Sequence, residues 1–100
     1  MFIEQRTVSR KTPLDGKLEI SAAAAAQLQA LGSSFALLTD GHHARARLVD
    51  LACTCSKGGS AGQHFHHFVE SDALRSLEPG TDVRVEVDDA LPGSLSIRSA

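Results

Sequence analysis

Hydrophobic and polar residues alternate most regularly near the end of the chain. Residues 83–87 alternate valine with charged residues, and Leu95 and Ile97 repeat the spacing after Pro92-Gly93. A period of two is that of a strand with one buried face. The pattern therefore predicts one clear strand, a turn and a short final strand.

The first half of the chain carries shorter segments of the same kind. Phe35–Thr39 and His42–Leu51 flank Asp40-Gly41, a dipeptide that strongly favours a two-residue hairpin turn. Phe2–Val8 and His64–Val69 also have the composition of strands. These segments predict a hairpin in the middle of the chain and at least two further strands.

One segment is typical of a helix. Ser21 is a residue that often caps a helix N-terminus, Ala22–Leu31 are mostly strong helix formers, and Gly32 stands where a helix commonly ends. Its alanine-rich face allows close packing on a sheet, with Leu28 and Leu31 as the larger apolar contacts. We interpret this helix as scaffold.

These elements predict an α+β domain that spans residues 1–100. One N-terminal helix packs on a small antiparallel β-sheet, or a partly open β-barrel, of five or six strands. The 100 residues include no Trp or Tyr and four Phe, so the core must be mainly aliphatic. A bound metal or an oligomer contact would add stability to such a small core.

Charge and hydropathy exclude several classes of partner. The net charge of −2 lacks the basic excess of nucleic-acid and anionic-membrane binders. No segment is long and apolar enough to predict a membrane span, and the first thirteen residues lack the apolar region of a secretory signal. We therefore expect a cytoplasmic protein whose cysteines stay reduced.

The most informative residues for function are Cys53, Cys55, His64 and His66. Side chains two apart in a strand point to the same face. If an antiparallel hairpin pairs Cys55 with His64, then Cys53 lies opposite His66, and paired Cβ atoms are about 5 Å apart. Four donors then converge in a way that suits a tetrahedral ion.

Two thiolates and two imidazoles favour zinc, with cuprous copper or ferrous iron as other candidates. A slip of one residue in the register would bring His67 to the cysteines instead. The alternative without metal has Cys53 and Cys55 as small buried side chains. The clustering of cysteine and histidine favours the metal site.

One short segment has the spacing of a known motif. Gly58, His64, His66 and Glu70 match the first half of the cupin metal motif over thirteen residues. This local resemblance implies a metal inside a β-barrel, often used for dioxygen or isomerase chemistry. The second half of the motif is absent, because no histidine follows His67.

Three functions follow from these residues. The leading hypothesis is a non-catalytic binding or assembly module in which zinc staples a β-hairpin and which binds itself or another protein. The second is a small cupin-like metal-dependent enzyme that uses His64, His66 and Glu70. The third is a metal-trafficking or thiol-sensing protein based on Cys53 and Cys55.

Overall fold

The computed structural model describes residues 1–52, 65–87, 91 and 93–100. Seven strands lie within these ranges, where the sequence had predicted five or six. They are β1 (Phe2–Thr7), β2 (Lys17–Ile20), β3 (Phe35–Thr39), β4 (His42–Ala52), β5 (Phe65–Glu70), β6 (Asp82–Val87) and β7 (Ser94–Ser99). Strand β2 is the one that the sequence did not predict, because four residues are too few to show a clear alternation.

The strands form one nearly closed, barrel-like sheet in the order β1-β6-β7-β3-β4-β5-β2. Neighbouring strands are antiparallel except β3 and β7, which run parallel with Leu37 opposite Leu95. The expectation of a purely antiparallel sheet is therefore wrong. Hairpin β3–β4 has the predicted register around Asp40-Gly41, with Thr39 paired to His42.

Strands β1 and β2 end the order, and a polar contact joins them. One Glu4 carboxylate oxygen accepts from the backbone N–H of Ser21 at 2.9 Å, and the other accepts from the Ser21 hydroxyl at 2.6 Å. The same hydroxyl caps helix α2 (Ala22–Leu28) by accepting from the N–H of Ala24. Glu4 thus links the open seam of the barrel to the start of the helix.

The helix predicted from the alanine-rich segment is confirmed as α2. Ala24, Ala25 and Leu28 are buried, and a 3₁₀ turn, Gln29–Leu31, continues the helix to the predicted end at Gly32. None of the described helices is long and apolar enough to cross a membrane.

The expectation of a single helix is wrong, because a short helix, α1 (Thr12–Asp15), precedes β2 and a 3₁₀ helix spans Asp72–Ser76. Gly16 ends α1 with a φ of 70°. A Cβ there would meet the carbonyl oxygen of Ser71 at 2.9 Å, while the Ser71 N–H donates to the Gly16 carbonyl at 2.8 Å. Glycine is thus required at this position.

The core fills the interior of the barrel and is almost entirely aliphatic. Its buried members come from β2 to β7, helix α2, the 3₁₀ helix at residues 72–76 and Val8, which directly follows β1. Those with no measurable exposure are Leu28, Leu37, Val69, Leu74, Val83, Val85, Leu95 and Ile97. The far end of the β4–β5 ribbon extends past this core, with Leu51 45% and Phe65 52% exposed. That extension carries the candidate site.

Candidate functional site

The register of β4 and β5 differs from the one that the sequence analysis assumed. His66 pairs with Leu51, whereas the prediction placed Cys53 opposite His66. The offset is two residues, so odd-numbered residues of β4 still share a face with even-numbered residues of β5. The predicted pairing is therefore wrong in register, while the face on which His66 lies is unchanged.

His66 is held by a carboxylate from the neighbouring strand. Its Nδ1 lies 2.8 Å from Oε2 of Glu19 on β2. Glu19 pairs with Phe68, so the contact is a diagonal one on the outer face of the sheet. Because an ionised carboxylate only accepts, Nδ1 of neutral His66 carries the proton and the ring lone pair is on Nε2. This carboxylate–histidine arrangement is typical of imidazoles that bind metals.

His67 makes a similar contact on the opposite face. Its Nδ1 lies 2.7 Å from Oδ1 of Asp50, its direct partner on β4. Its side chain shares the face of Val69. His66 and His67 therefore point to different sides of the ribbon, and one ion cannot bind both without a local change in the strand.

Three of the four predicted ligands, Cys53, Cys55 and His64, lie outside the described residues. The described chain stops at Ala52 and resumes at Phe65, and these two residues are paired. The segment that holds the two cysteines and His64 thus begins and ends at one pair of the ribbon. In the described part of the chain, no group of three His, Cys, Asp or Glu side chains is arranged to hold a metal ion.

Glu70, the carboxylate of the cupin-like alternative, is paired with two cations. Arg47 Nε donates to one carboxylate oxygen at 2.5 Å and Lys17 Nζ lies 3.2 Å from the other. The hydrogen bond from Arg47, followed by that from Lys17, lowers the pKa of Glu70 from its ordinary value of 4.5. Four residues separate it from His66 on β5, about 13 Å along a strand.

The structure thus places one oriented imidazole, that of His66, on the outer face of the ribbon, and it pairs the Glu70 carboxylate with Arg47 and Lys17. Sequence reasoning missed Glu19 and Asp50, the partners of the two histidines. Glu19 was missed because β2 was not recognised as a strand, and Asp50 because its partner depends on the register. Comparisons with models of protein families, with curated proteins and with solved structures found no match.

Proposed function

We propose that this chain is a non-catalytic metal-binding module in which one zinc ion staples strands β4 and β5. The ligands are Cys53, Cys55, His64 and His66. The observation that carries the proposal is the contact between His66 and Glu19, which orients the His66 imidazole. The ring lies on the face of the β4–β5 ribbon that odd-numbered residues of β4 share, as the predicted cysteine–histidine pairing requires. A carboxylate in this position raises the basicity of the ligand.

The position of the site in the ribbon supports a structural role for the ion. Ala52 and Phe65 are paired, and Leu51 and Phe65 are about half exposed, so this end of the ribbon has little apolar packing of its own. A metal bound across the two strands supplies stability where burial does not. In a reducing cytoplasm both cysteines are available as thiolates.

Four protein ligands leave no open coordination position, which favours a structural site over a catalytic one. The cations on Glu70 and its distance from His66 further disfavour the cupin-like enzyme. The metal-trafficking alternative uses the same cysteines but requires that the bound metal can be transferred to another molecule. It predicts that a chelator of moderate affinity removes the metal without unfolding the barrel.

The module binds a second copy of itself or another protein, and the metal-ordered ribbon is the region we assign to that contact. The exposed apolar side chains of Leu51 and Phe65 flank the proposed site on opposite faces. Size-exclusion chromatography with light scattering, with and without zinc, tests self-association. A mass that stays the same in both states leaves only another protein as the partner.

The proposal is tested by elemental analysis of protein purified without added metal. We expect one zinc per chain, lost in the Cys53→Ser, Cys55→Ser double variant and in His66→Ala. His43→Ala is the matched control, because His43 is exposed at the opposite end of β4. Loss of the metal should also lower the melting temperature.

Two results would overturn the proposal. One is metal-free protein that also takes up no zinc in titration. The other is stoichiometric zinc retained by both the double cysteine variant and His66→Ala. Equal zinc loss in His66→Ala and His43→Ala would show that the change acts on folding and not on coordination.

A further inference from the structure

A second site candidate lies at the opposite end of β4 from the proposed zinc site. It is a cleft of about 360 Å³ where the β3–β4 turn meets the end of β7. This volume is in the range of small-molecule pockets. The lining residues are Thr39, Asp40, His42, Ser76, Leu77, Glu78, Thr81 and Ser99.

One of these residues has an unsatisfied polar group. Thr39 is 7% exposed, and its hydroxyl has no hydrogen-bond partner among the described residues. It follows Phe35 and Leu37 in steps of two on β3, and both belong to the core, so its side chain points inward at the end of the barrel. An unpaired buried hydroxyl is costly and therefore indicates a missing partner.

The charges of the cleft point to the kind of partner. Asp40 and Glu78 contribute two carboxylates, and no lysine or arginine is among the described residues that line the cleft. Arg98, next to Ser99, adds a favourable charge interaction with Asp40 that is weaker than the hydrogen bonds from Ser99. Oδ2 of Asp40 accepts from the Ser99 N–H at 3.1 Å and from the Ser99 hydroxyl at 2.8 Å. Within the described ranges, the other Asp40 oxygen and the Glu78 carboxylate make no hydrogen bond or ion pair.

A second cleft, on the side of β4 near Glu70, has acidic and basic side chains close to one another. It has a volume of about 310 Å³, and its carboxylates Glu70 and Asp72 face Arg47 and Arg75. Its two other charged residues, Asp15 and Arg45, bond to the Lys17 backbone N–H and to the Ser34 hydroxyl. The cleft at Thr39 differs because, among the described residues, neither of its carboxylates is in an ion pair and its buried hydroxyl has no hydrogen-bond partner.

We propose that the cleft at Thr39 binds a small organic cation that carries primary ammonium groups, such as a short diamine. An ammonium group offers three donors and no acceptor. It therefore satisfies the carboxylates of Asp40 and Glu78 and the acceptor capacity of the Thr39 hydroxyl at once. A bare metal ion fits less well, since the His, Asp and Glu side chains of the described chain form no metal-holding group.

This inference is independent of the proposed zinc site. Strand β4 spans His42–Ala52, so the two sites are separated by about 33 Å along the strand. His66, the one proposed zinc ligand within the described residues, does not line the cleft. Either proposal can fail while the other stands.

The test is isothermal titration calorimetry of the full chain with 1,4-diaminobutane in 150 mM NaCl, which screens diffuse attraction. We expect saturable binding of the diamine and none of 1,4-butanediol, which has a similar length and no charge. Glu78→Gln should weaken the affinity about tenfold, because it removes one charge-assisted contact. Asp72→Asn removes a carboxylate that is 97% exposed outside the cleft and should leave the affinity unchanged.

Thr39→Val gives a second and sharper readout. The substitution keeps the shape and removes the unpaired hydroxyl, so it should raise the melting temperature of the free protein. It should also weaken diamine binding by about threefold to tenfold. Absence of diamine binding, an unchanged affinity in Glu78→Gln and Thr39→Val, or an equal loss in Asp72→Asn would overturn the proposal.

Discussion

Strand β4 passes through two different environments. Near its middle Ala46 is 4% exposed and belongs to the core of the barrel, whereas near its end Leu51 is 45% exposed. Its middle is surrounded by aliphatic side chains, and its far end is held by backbone pairing with β5 and by the contact between Asp50 and His67. The same strand is thus stabilised by packing in one half and by polar contacts in the other.

The difference shows where a small aliphatic core reaches its limit. Burial of leucine, isoleucine and valine stabilises the barrel at about 25 cal/mol for each Å² of apolar surface. The ribbon beyond the core gains little from this term, so its order depends on individual hydrogen bonds and on any ligand that joins the strands. The predictions below test this contrast, beginning with the largest effect.

Truncation of a core leucine should have the largest effect. Leu95 has no measurable exposure and pairs with Leu37 on the parallel strand. Leu95→Ala should lower the free energy of unfolding by about 2–5 kcal/mol, through lost burial and the cavity left behind. Leu51→Ala, the matched change in the ribbon, should cost less than about 0.5 kcal/mol. Urea denaturation measures both, and similar losses would contradict the contrast between core and ribbon.

The next effect concerns the polar support of the ribbon. Glu19→Gln removes the carboxylate that orients His66. If the zinc proposal is correct, the affinity for zinc should fall about 10-fold to 100-fold. Competition with a chromophoric chelator measures this change. Glu78→Gln, at the other end of β4, is the control and should retain full affinity; an unchanged affinity in Glu19→Gln would count against the role given to this contact.

The seam of the barrel should show a smaller effect. Both Glu4 carboxylate oxygens accept hydrogen bonds from Ser21. Glu4→Gln leaves one acceptor oxygen, so we expect a loss of about 1 kcal/mol in the free energy of unfolding. Amide hydrogen exchange should accelerate at Ser21 more than at Leu37 in the core. Uniform acceleration at both positions would mean that the seam is not a local weak point.

The smallest effect is expected from the ion pairs of Glu70. Hydrogen bonds from Arg47 and Lys17 lower its pKa in the folded state below the ordinary 4.5. The unfolded chain therefore binds more protons in this interval, and the stabilisation is complete above pH 4.5 and is lost as the pH falls through the folded pKa. The contribution should be below about 1 kcal/mol, because Arg47 is largely exposed. Glu70→Gln should flatten the pH dependence of the melting temperature in that interval, and an unchanged profile would assign it to other carboxylates.

The sequence predicted local elements better than their partners. The valine alternation at residues 83–87 and the Asp40-Gly41 turn report on neighbouring residues, and both predictions are confirmed. Strand β2 was missed because it has only four residues and its partner, β5, lies far along the chain. The parallel pairing of β3 with β7 has no local signal at all, since periodicity describes a face and not the strand beside it.

For the candidate site too, the sequence predicted local features better than contacts between strands. Spacing by two correctly put the even-numbered residues of β5 on one face, but the register that pairs His66 with Leu51 could not be read from the sequence. Glu19 could be recognised as the partner of His66 only once β2 was known to pair with β5. The cleft at Thr39 had no motif, because it is assembled from a turn, a strand end and a 3₁₀ segment that meet only in the folded chain.

The position of β7 in the sheet affects when the chain can fold during its synthesis. This strand follows the other six described strands in chain order, yet it stands between β6 and β3 and joins the β1–β6 pair to the four strands on its other side. During synthesis the two groups of strands have no shared neighbour until residues 94–99 have left the ribosome. We therefore expect the complete barrel to form only after residues 94–99 have left the ribosome, and nascent chains halted before residue 94 should remain sensitive to protease.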